Sequence, residues 1–197
     1  MRKSTFVLAS SFVALSSFVS SAQAAVVLTV NLNTANQITI SATTAASLNT
    51  ASGFTSTGFY LENFYGSTTG SSLSDTLVSG NLTTFLNASD NSPDLFRGSF
   101  PTDAGLNVWS YSSASPSGFT AGTQAFAGSG TWTMSAAAYA DMLAGPTSGA
   151  VYFPADTSDD VLAATRIGEY SRVAVPEPTT LAAVAAGGML VLRRRRA

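Results

Sequence analysis

Short runs of β-branched and aromatic residues recur along the chain, and this repetition constrains the fold more than any other feature. The runs are separated by clusters of Gly, Ser, Asn and Asp, which favour turns. A parallel sheet would need a crossover helix after most strands, and few helical segments are visible. We therefore predict an all-β domain, an antiparallel, jelly-roll-like β-sandwich. Its strands are expected at residues 26–32, 37–43, 59–64, 82–86, 95–100, 106–111, 124–134, 150–153 and 166–173.

Two of these runs carry a more detailed prediction. In the second, Ile38 and Ile40 alternate with polar residues, which is typical of a strand with one buried face. In the run 124–134, Gly128 and Gly130 predict a bulge or a bend. Two Ser/Thr-rich stretches are expected to be long loops or polar strand faces: residues 41–57 and 66–79.

One helix is predicted between the seventh and eighth strands, over residues 136–144. Ser135 precedes it as a suitable N-cap, and Gly145 and Pro146 end it. Three apolar side chains at helical spacing are expected to lie on one face that packs against the sheet: Tyr139, Met142 and Leu143.

The charges are distributed unevenly along the chain. Six of the nine basic residues lie near the termini, whereas residues 25–175 contain three arginines and ten carboxylates, a net charge of -7. Nucleic-acid binding depends on clustered Lys and Arg that displace counterions. The central segment is therefore not expected to bind nucleic acid.

Missing residue types exclude most catalytic mechanisms. The chain has no cysteine and no histidine, and its one lysine is Lys3. Disulfides, thiolate chemistry, Ser-His-Asp triads, histidine metal sites and lysine-based nucleophiles are thereby excluded from the central segment. We expect a protein without catalytic activity and without a required cofactor.

The N-terminus has the three parts of a signal peptide. Arg2 and Lys3 form a basic start, residues 6–19 are largely apolar, and Ala22 and Ala24 place small side chains at the -3 and -1 positions. Residues 1–24 are therefore predicted to direct export through the Sec translocon and to be removed by signal peptidase after Ala24. An uncleaved membrane anchor is the alternative.

Residues 175–197 combine a rigid motif, an apolar stretch and a basic end. The motif is Pro176, Glu177 and Pro178, and fourteen residues from Thr179 to Leu192 follow it. As a helix they would extend about 21 Å, short of the roughly 30 Å hydrocarbon core of a bilayer. We expect a transient inner-membrane helix whose basic end stays cytoplasmic, namely Arg193, Arg194, Arg195 and Arg196.

The order of these three elements resembles the PEP-CTERM sorting signal of Gram-negative bacteria. The resemblance covers about a tenth of the chain. It implies recognition by an exosortase, a membrane protease or transpeptidase, and cleavage at or near residues 176–178. Release of the product, or its transfer to another molecule, would follow. The chain would then divide into a signal peptide, 1–24, a mature domain, 25–174, and a sorting signal, 175–197.

Carboxylates supply the two remaining candidates for site chemistry. Glu62 and Glu169 are the glutamates of the mature domain, and a carboxylate pair can hydrolyse glycosides. Three further carboxylates stand within five residues and form a weak calcium candidate, with capping of a short helical turn as the alternative. They are Asp156, Asp159 and Asp160.

Three hypotheses on function follow. The first is an exported structural protein that is processed by exosortase and deposited at the cell surface or in an extracellular, exopolysaccharide-containing biofilm matrix. The second is a carbohydrate-binding module of that matrix, for which exposed aromatic side chains would form a stacking platform. The third is a carboxylate-based glycoside hydrolase. The candidates for the platform are Tyr60, Tyr65, Trp109, Tyr111 and Trp132.

Overall fold

The computed structural model describes residues 25–54, 58–68, 73, 75–88, 92–97, 104–109, 116–155, 161 and 164–173. These residues are mostly β-strand with one helix, which confirms the predicted β-rich class. Both terminal signals and the carboxylates 156, 159 and 160 lie outside the described residues.

Thirteen strands and one helix, α1 (Ala136–Ala144), make up the described structure. The strands, in chain order, are β1 (Val26–Asn31), β2 (Gln37–Ala42), β3 (Ala51–Phe54), β4 (Phe59–Leu61), β5 (Asp75–Gly80), β6 (Thr83–Thr84), β7 (Asp94–Phe96), β8 (Leu106–Trp109), β9 (Pro116–Phe119), β10 (Phe126–Ala127), β11 (Ser129–Met134), β12 (Ser148–Phe153) and β13 (Thr165–Arg172).

Nine strands form one large sheet in the order β5-β11-β2-β1-β13-β12-β4-β8-β7, and the pairs β10-β6 and β3-β9 form two small sheets. The large sheet is mixed because the neighbours β1 and β13 run parallel, whereas its other pairs are antiparallel. This departs from the purely antiparallel arrangement expected. The two strands are far apart in sequence, so the intervening chain is long enough to return in either direction.

The large sheet curls until its two edge strands meet. The edges β5 and β7 are in contact, and the Leu95 amide donates a hydrogen bond to Asp75 Oδ2 at 3.4 Å. Burial raises the pKa of the Asp75 carboxyl above its ordinary value. The curled sheet encloses an aromatic and aliphatic core, whose largest fully buried side chains include Trp132, Tyr170, Phe59, Phe64, Phe126 and Phe153.

The alternation predicted for β2 is confirmed. Ile38 and Ile40 are fully buried, while Thr39 on the opposite face is partly exposed. The bend predicted near Gly128 is also present. Gly128 adopts φ +74° between β10 and β11, and this left-handed conformation favours glycine. The expected long strand 124–134 is therefore divided into two.

The helix begins and ends where its sequence indicates. Ser135 Oγ accepts a hydrogen bond from the Ala138 amide, and the Gly145 amide closes the last turn on the Met142 carbonyl. Met142 is fully buried and Tyr139 is partly buried, but Leu143 is 44% exposed. The prediction that Leu143 belongs to the packed face is therefore wrong.

Three strands lie in stretches that carry no clear strand pattern. Strand β3 lies within the first Ser/Thr-rich stretch, and β5 lies within the second except for its last residue, so part of each stretch is a strand with exposed polar residues. Strand β9 falls where no strand is predicted. In the expected strand 82–86, the extended part is only Thr83–Thr84, and a 3-10 turn follows over Phe85–Asn87.

Candidate functional site

A cluster built around two arginines holds the loop after β4 against α1. We call it the arginine cluster and define it by Tyr65, Ser67, Arg97, Asp141 and Arg172. In the sequence, Arg97 and Arg172 are two of the three arginines of the mature domain, and they stand far from one another and from any clear motif. Their neighbours come from distant parts of the chain, so no local pattern could have indicated the cluster.

Arg97 lies directly after β7, and its side chain is only 3% exposed. Its Nη1 is 2.6 Å from Asp141 Oδ2, and its Nη2 donates to the Ser67 carbonyl at 2.7 Å. The guanidinium also stacks over the Tyr65 ring, 3.7 Å from the centroid, a favourable cation–π geometry. Ser67 Oγ donates a second hydrogen bond to Asp141 Oδ2 at 2.9 Å, so the buried charge is paired and bonded.

Arg172 ends β13, and in the described part of the chain its guanidinium binds backbone carbonyls rather than a carboxylate. Its guanidinium donates to the carbonyls of Met142 and Phe64, and to that of Gly145 at 3.2 Å. The carbonyls of the last helical turn have no partner within a helix and form the negative end of its dipole. Burial lowers the pKa of Arg172 from its ordinary value, and these acceptors compensate part of that cost.

Two buried tyrosines border the arginines. Burial raises the pKa of Tyr65 well above its ordinary value, although Arg97 opposes the shift. Burial also raises the pKa of Tyr170 to about 12, and its hydroxyl donates to the Glu62 carbonyl at 3.0 Å. The hydroxyl of Tyr65 has no hydrogen-bond partner among the described residues. Both phenols remain protonated at neutral pH, so neither can serve there as a general base.

The two candidate catalytic glutamates lie on either side of Ala150, one next to it in each neighbouring segment of the sheet. The Glu62 amide donates to the Ala150 carbonyl, and Glu169 lies in register with Ala150 on the other side. Two inter-strand spacings separate their backbones, about 10 Å. The carboxylate of Glu169 is engaged by Arg166 in an ion pair at the surface. A glycosidase needs both carboxylates directed at a bound sugar, and this ion pair does not favour that arrangement.

Three of the five aromatic side chains predicted to form a binding platform are buried inside the protein. Tyr60, Tyr65 and Trp132 are 5%, 2% and 0% exposed, and Trp132 Nε1 donates to the Pro93 carbonyl at 3.0 Å. These three rings therefore cannot stack on a ligand in this conformation. The side chain of Trp109 and all of Tyr111 lie outside the described residues.

An apolar groove next to the small β3-β9 sheet was not predicted. Its volume is about 330 Å³, and its floor comes from Ala51 and Phe119. Phe85 and Leu86, on the 3-10 turn, are 52% and 66% exposed, and Leu86 also lines the groove. The sequence signal at Phe85 and Leu86 is misleading, because their apolar composition predicts a strand over residues 82–86, in which one of the two side chains would be buried.

The described residues contain no group of three or more acidic side chains placed to hold a metal ion. None of the helices in that part of the chain is long and apolar enough to cross a membrane. Neither observation reaches the predicted calcium candidate or the terminal signals, which lie outside the described ranges.

Comparison with protein-family models found no match, and searches of curated proteins and of solved structures found none either. A proposal on function must therefore rest on the residues of this chain.

Proposed function

We propose that this chain is an exported structural protein of the cell surface or extracellular matrix. Signal peptidase would remove residues 1–24. Residues 175–197 would hold the product briefly at the inner membrane until an exosortase cleaves near Pro176, Glu177 and Pro178. The mature domain would then enter an exopolysaccharide- or biofilm-associated layer without catalytic activity.

The observation that carries the non-catalytic part is that all three arginines of the domain bind protein groups. Arg97 pairs with Asp141, Arg166 pairs with Glu169, and Arg172 binds backbone carbonyls. The domain contains neither lysine nor histidine. Every side-chain cation of the domain is therefore engaged by protein groups rather than free to bind an anionic substrate or to stabilise a developing negative charge, which supports a structural role.

For the architecture, we propose a variant of the jelly-roll-like sandwich. The closure of β5 onto β7 and the two small sheets support it, since they let the curled sheet enclose a core. The parallel pair β1-β13 would be the departure from the usual antiparallel form.

Mass spectrometry of the mature protein tests the processing step. In a strain with exosortase we expect a product that lacks Arg193, Arg194, Arg195 and Arg196, and in a strain without it a product that retains them. Replacement of Pro176 and Pro178 by alanine should also leave the four arginines in place. If they persist in the exosortase-containing strain, the proposed processing is wrong.

Carbohydrate binding is the second candidate, because Phe85 presents an exposed aromatic ring on the 3-10 turn, and the next residue of that turn, Leu86, lines the apolar groove. Sugar-binding pockets combine apolar lining with a few polar groups, and Thr50, Ser52 and Thr120 supply hydroxyls here. We expect Phe85→Ala to lower the affinity of the purified chain for the host polysaccharide about tenfold, roughly the 1.4 kcal/mol of one lost contact. Val78→Ala, at an equally exposed strand position, is the matched control. Equal affinities of the two variants for the polysaccharide would exclude this groove as its binding site.

The hydrolase hypothesis makes a separate prediction. If Glu62 and Glu169 act on a glycoside, Glu62→Gln should abolish the release of reducing sugar from that polysaccharide. We expect no such activity in the unaltered chain.

A further inference from the structure

The parallel pairing of β1 and β13 makes the chain enter and leave the domain at opposite ends. At one end, the Ala25 carbonyl accepts a hydrogen bond from the Glu169 amide at 2.9 Å. At the other, the Val173 amide donates to the Val30 carbonyl at 2.8 Å. Because the backbone is held by hydrogen bonds up to Val173, the position at which the chain leaves the domain is fixed.

The surface around Val173 is formed by two segments, which together with that residue we call the exit end: residues 32–36 and 143–147. Tyr139 Oη donates to the Leu32 carbonyl at 2.5 Å, which ties the helix to the β1-β2 turn. The Arg172 amide donates to the Thr147 carbonyl at 2.7 Å. The segments are thus attached to each other and to the end of β13, so they form one continuous surface.

The residues of the exit end carry no charged side chain, although the domain carries a net charge of -7, and the neighbouring Arg172 and Asp141 are bound by the Gly145 carbonyl and by Arg97. Residues 31–37 and 142–149 contain no Asp, Glu, Lys or Arg. Within the exit end, Leu143 and Val173 are each 44% exposed, and Thr34 and Thr147 are exposed polar residues. Charged groups lose hydration when they approach a bilayer, which costs free energy, whereas amide, hydroxyl and apolar groups are compatible with the interfacial region.

Only five residues separate Val173 from the apolar stretch that begins at Thr179. The six Cα–Cα steps from Val173 to Thr179 reach at most about 22 Å when fully extended. The length of β2, six residues at about 3.3 Å each, is close to 20 Å. If residues 179–192 are in a bilayer, the opposite end of the sheet could reach the bilayer surface only with this linker almost fully extended along the sheet, so the geometry favours the exit end as the nearer one.

We infer that the exit end is the membrane-facing surface of the domain before C-terminal processing, with the lipid headgroup region as its partner. This inference rests on the proposed function, because it requires residues 179–192 to act as the anchor. It adds an orientation: the β1-β2 turn and the end of α1 face the bilayer, and the opposite end of the sheet, where β13 begins, points away from it.

Single-cysteine labelling can test this orientation directly, since the chain contains no cysteine of its own. Thr34→Cys places a fluorophore on the exit end, and Thr44→Cys places the same fluorophore beyond the far end of β2. Both threonines are exposed, and the Thr43 amide beside the second site donates to Val27 near the start of β1. The pair is therefore matched in residue type and exposure but opposite in position.

The purified chain retaining residues 174–197 would be reconstituted into vesicles of phosphatidylethanolamine and phosphatidylglycerol, 3:1, containing a lipid with a nitroxide on its headgroup. We expect quenching of the label at residue 34 to be at least about threefold stronger than at residue 44, because quenching falls steeply over the ~20 Å between them. A label at Thr147→Cys, also on the exit end, should behave like the one at residue 34.

The outcomes separate this inference from the proposed function. A chain that floats with the vesicles but shows equal quenching at residues 34 and 44, or stronger quenching at 44, overturns the orientation alone. A chain that does not float with them at all overturns the anchoring step of the proposed function, and the orientation with it. Matching circular dichroism spectra of the labelled variants would show that both fold.

Discussion

The arginines of the domain occupy two very different environments. At the end of the sheet where the chain leaves, Arg97 and Arg172 are covered by the loop after β4 and by α1. Towards the other end, Arg166 pairs with Glu169 while 43% and 31% of their side chains stay exposed. The residue type is the same, but in the first region removal of an arginine leaves buried groups without partners, whereas in the second water replaces it.

The largest effect is expected from Arg97→Met. This change leaves the partly buried Asp141 carboxylate with the Ser67 hydroxyl as its side-chain partner among the described residues. Breaking a buried ion pair costs about 3 kcal/mol of unfolding free energy. Urea denaturation followed by circular dichroism would measure the loss. The double variant Arg97→Met with Asp141→Leu is the control, because it removes the uncompensated charge and should recover much of the loss. If the unfolding free energy of Arg97→Met lies within about 1 kcal/mol of that of the unaltered chain, the buried arginines are no more important than the exposed one.

Arg172→Met should have the next largest effect. It removes the donors to the Met142, Gly145 and Phe64 carbonyls, and we expect a loss of about 2 kcal/mol, since hydrogen bonds to charged groups are stronger than neutral ones. Arg172→Lys keeps the charge but lacks the planar fork that reaches several acceptors. In the same denaturation experiment, lysine should restore only part of the stability. Full restoration by lysine would show that charge alone matters.

Tyr170→Phe should cost about 1 kcal/mol at neutral pH, the usual value of one neutral hydrogen bond. It removes the donor to the Glu62 carbonyl and leaves the ring packed on Phe64, 5.4 Å between centroids. A change below the error of the denaturation measurement would indicate that the hydroxyl contributes nothing.

The same variant should alter the alkaline limit of stability. The pKa of Tyr170 is about 12 in the folded protein, whereas the ordinary pKa of a tyrosine, 10.0, applies in the unfolded chain. Between pH 10 and 12 the folded state therefore holds the proton that the unfolded state has lost, so stability falls as pH rises. In Tyr170→Phe the unfolding free energy should therefore decrease less steeply with pH. The decrease that remains would come from Tyr65, whose pKa is also raised. If the melting temperature of Tyr170→Phe falls between pH 10 and 12 as steeply as that of the unaltered chain, Tyr170 is not the group responsible.

The smallest effect is expected from Arg166→Ala. An exposed ion pair contributes at most about 0.5 kcal/mol, and added salt should reduce the difference further. Glu169→Gln is the matched control, because it removes the other half of the same pair. A loss above about 1.5 kcal/mol for either variant would remove the distinction between the two regions.

Local patterns predicted the elements whose information is local. The alternation around Ile38 and Ile40, the cap at Ser135 and the bend at Gly128 each depend on a few consecutive residues, and all three are present. Where local and tertiary effects compete, the predictions were less accurate. Phe85 and Leu86 have strand-forming composition but lie in a 3-10 turn, and Leu143 has the helical spacing of a buried residue but is exposed.

The candidate sites could be predicted less well than the fold. Residue type alone makes Glu62 and Glu169 candidates. Strand register shows that they flank Ala150, and the side-chain contacts show that Arg166 engages Glu169. The rings of Tyr60, Tyr65 and Trp132 suggested a binding platform until their burial was known. Residue type indicates which chemistry is available, whereas exposure and neighbours decide whether it is used.

The sequence alone determined the β-rich class, the helix at residues 136–144 and the acidic, histidine-free and cysteine-free character of the domain. These follow from composition and from periods of two and 3.6 residues, which are properties of short segments. Only the tertiary structure decided that β1 and β13 pair in parallel, that Arg97 and Arg172 are covered while Arg166 is exposed, and that the chain leaves at an uncharged end. Each depends on contacts between segments far apart in the chain, and no local pattern specifies such contacts.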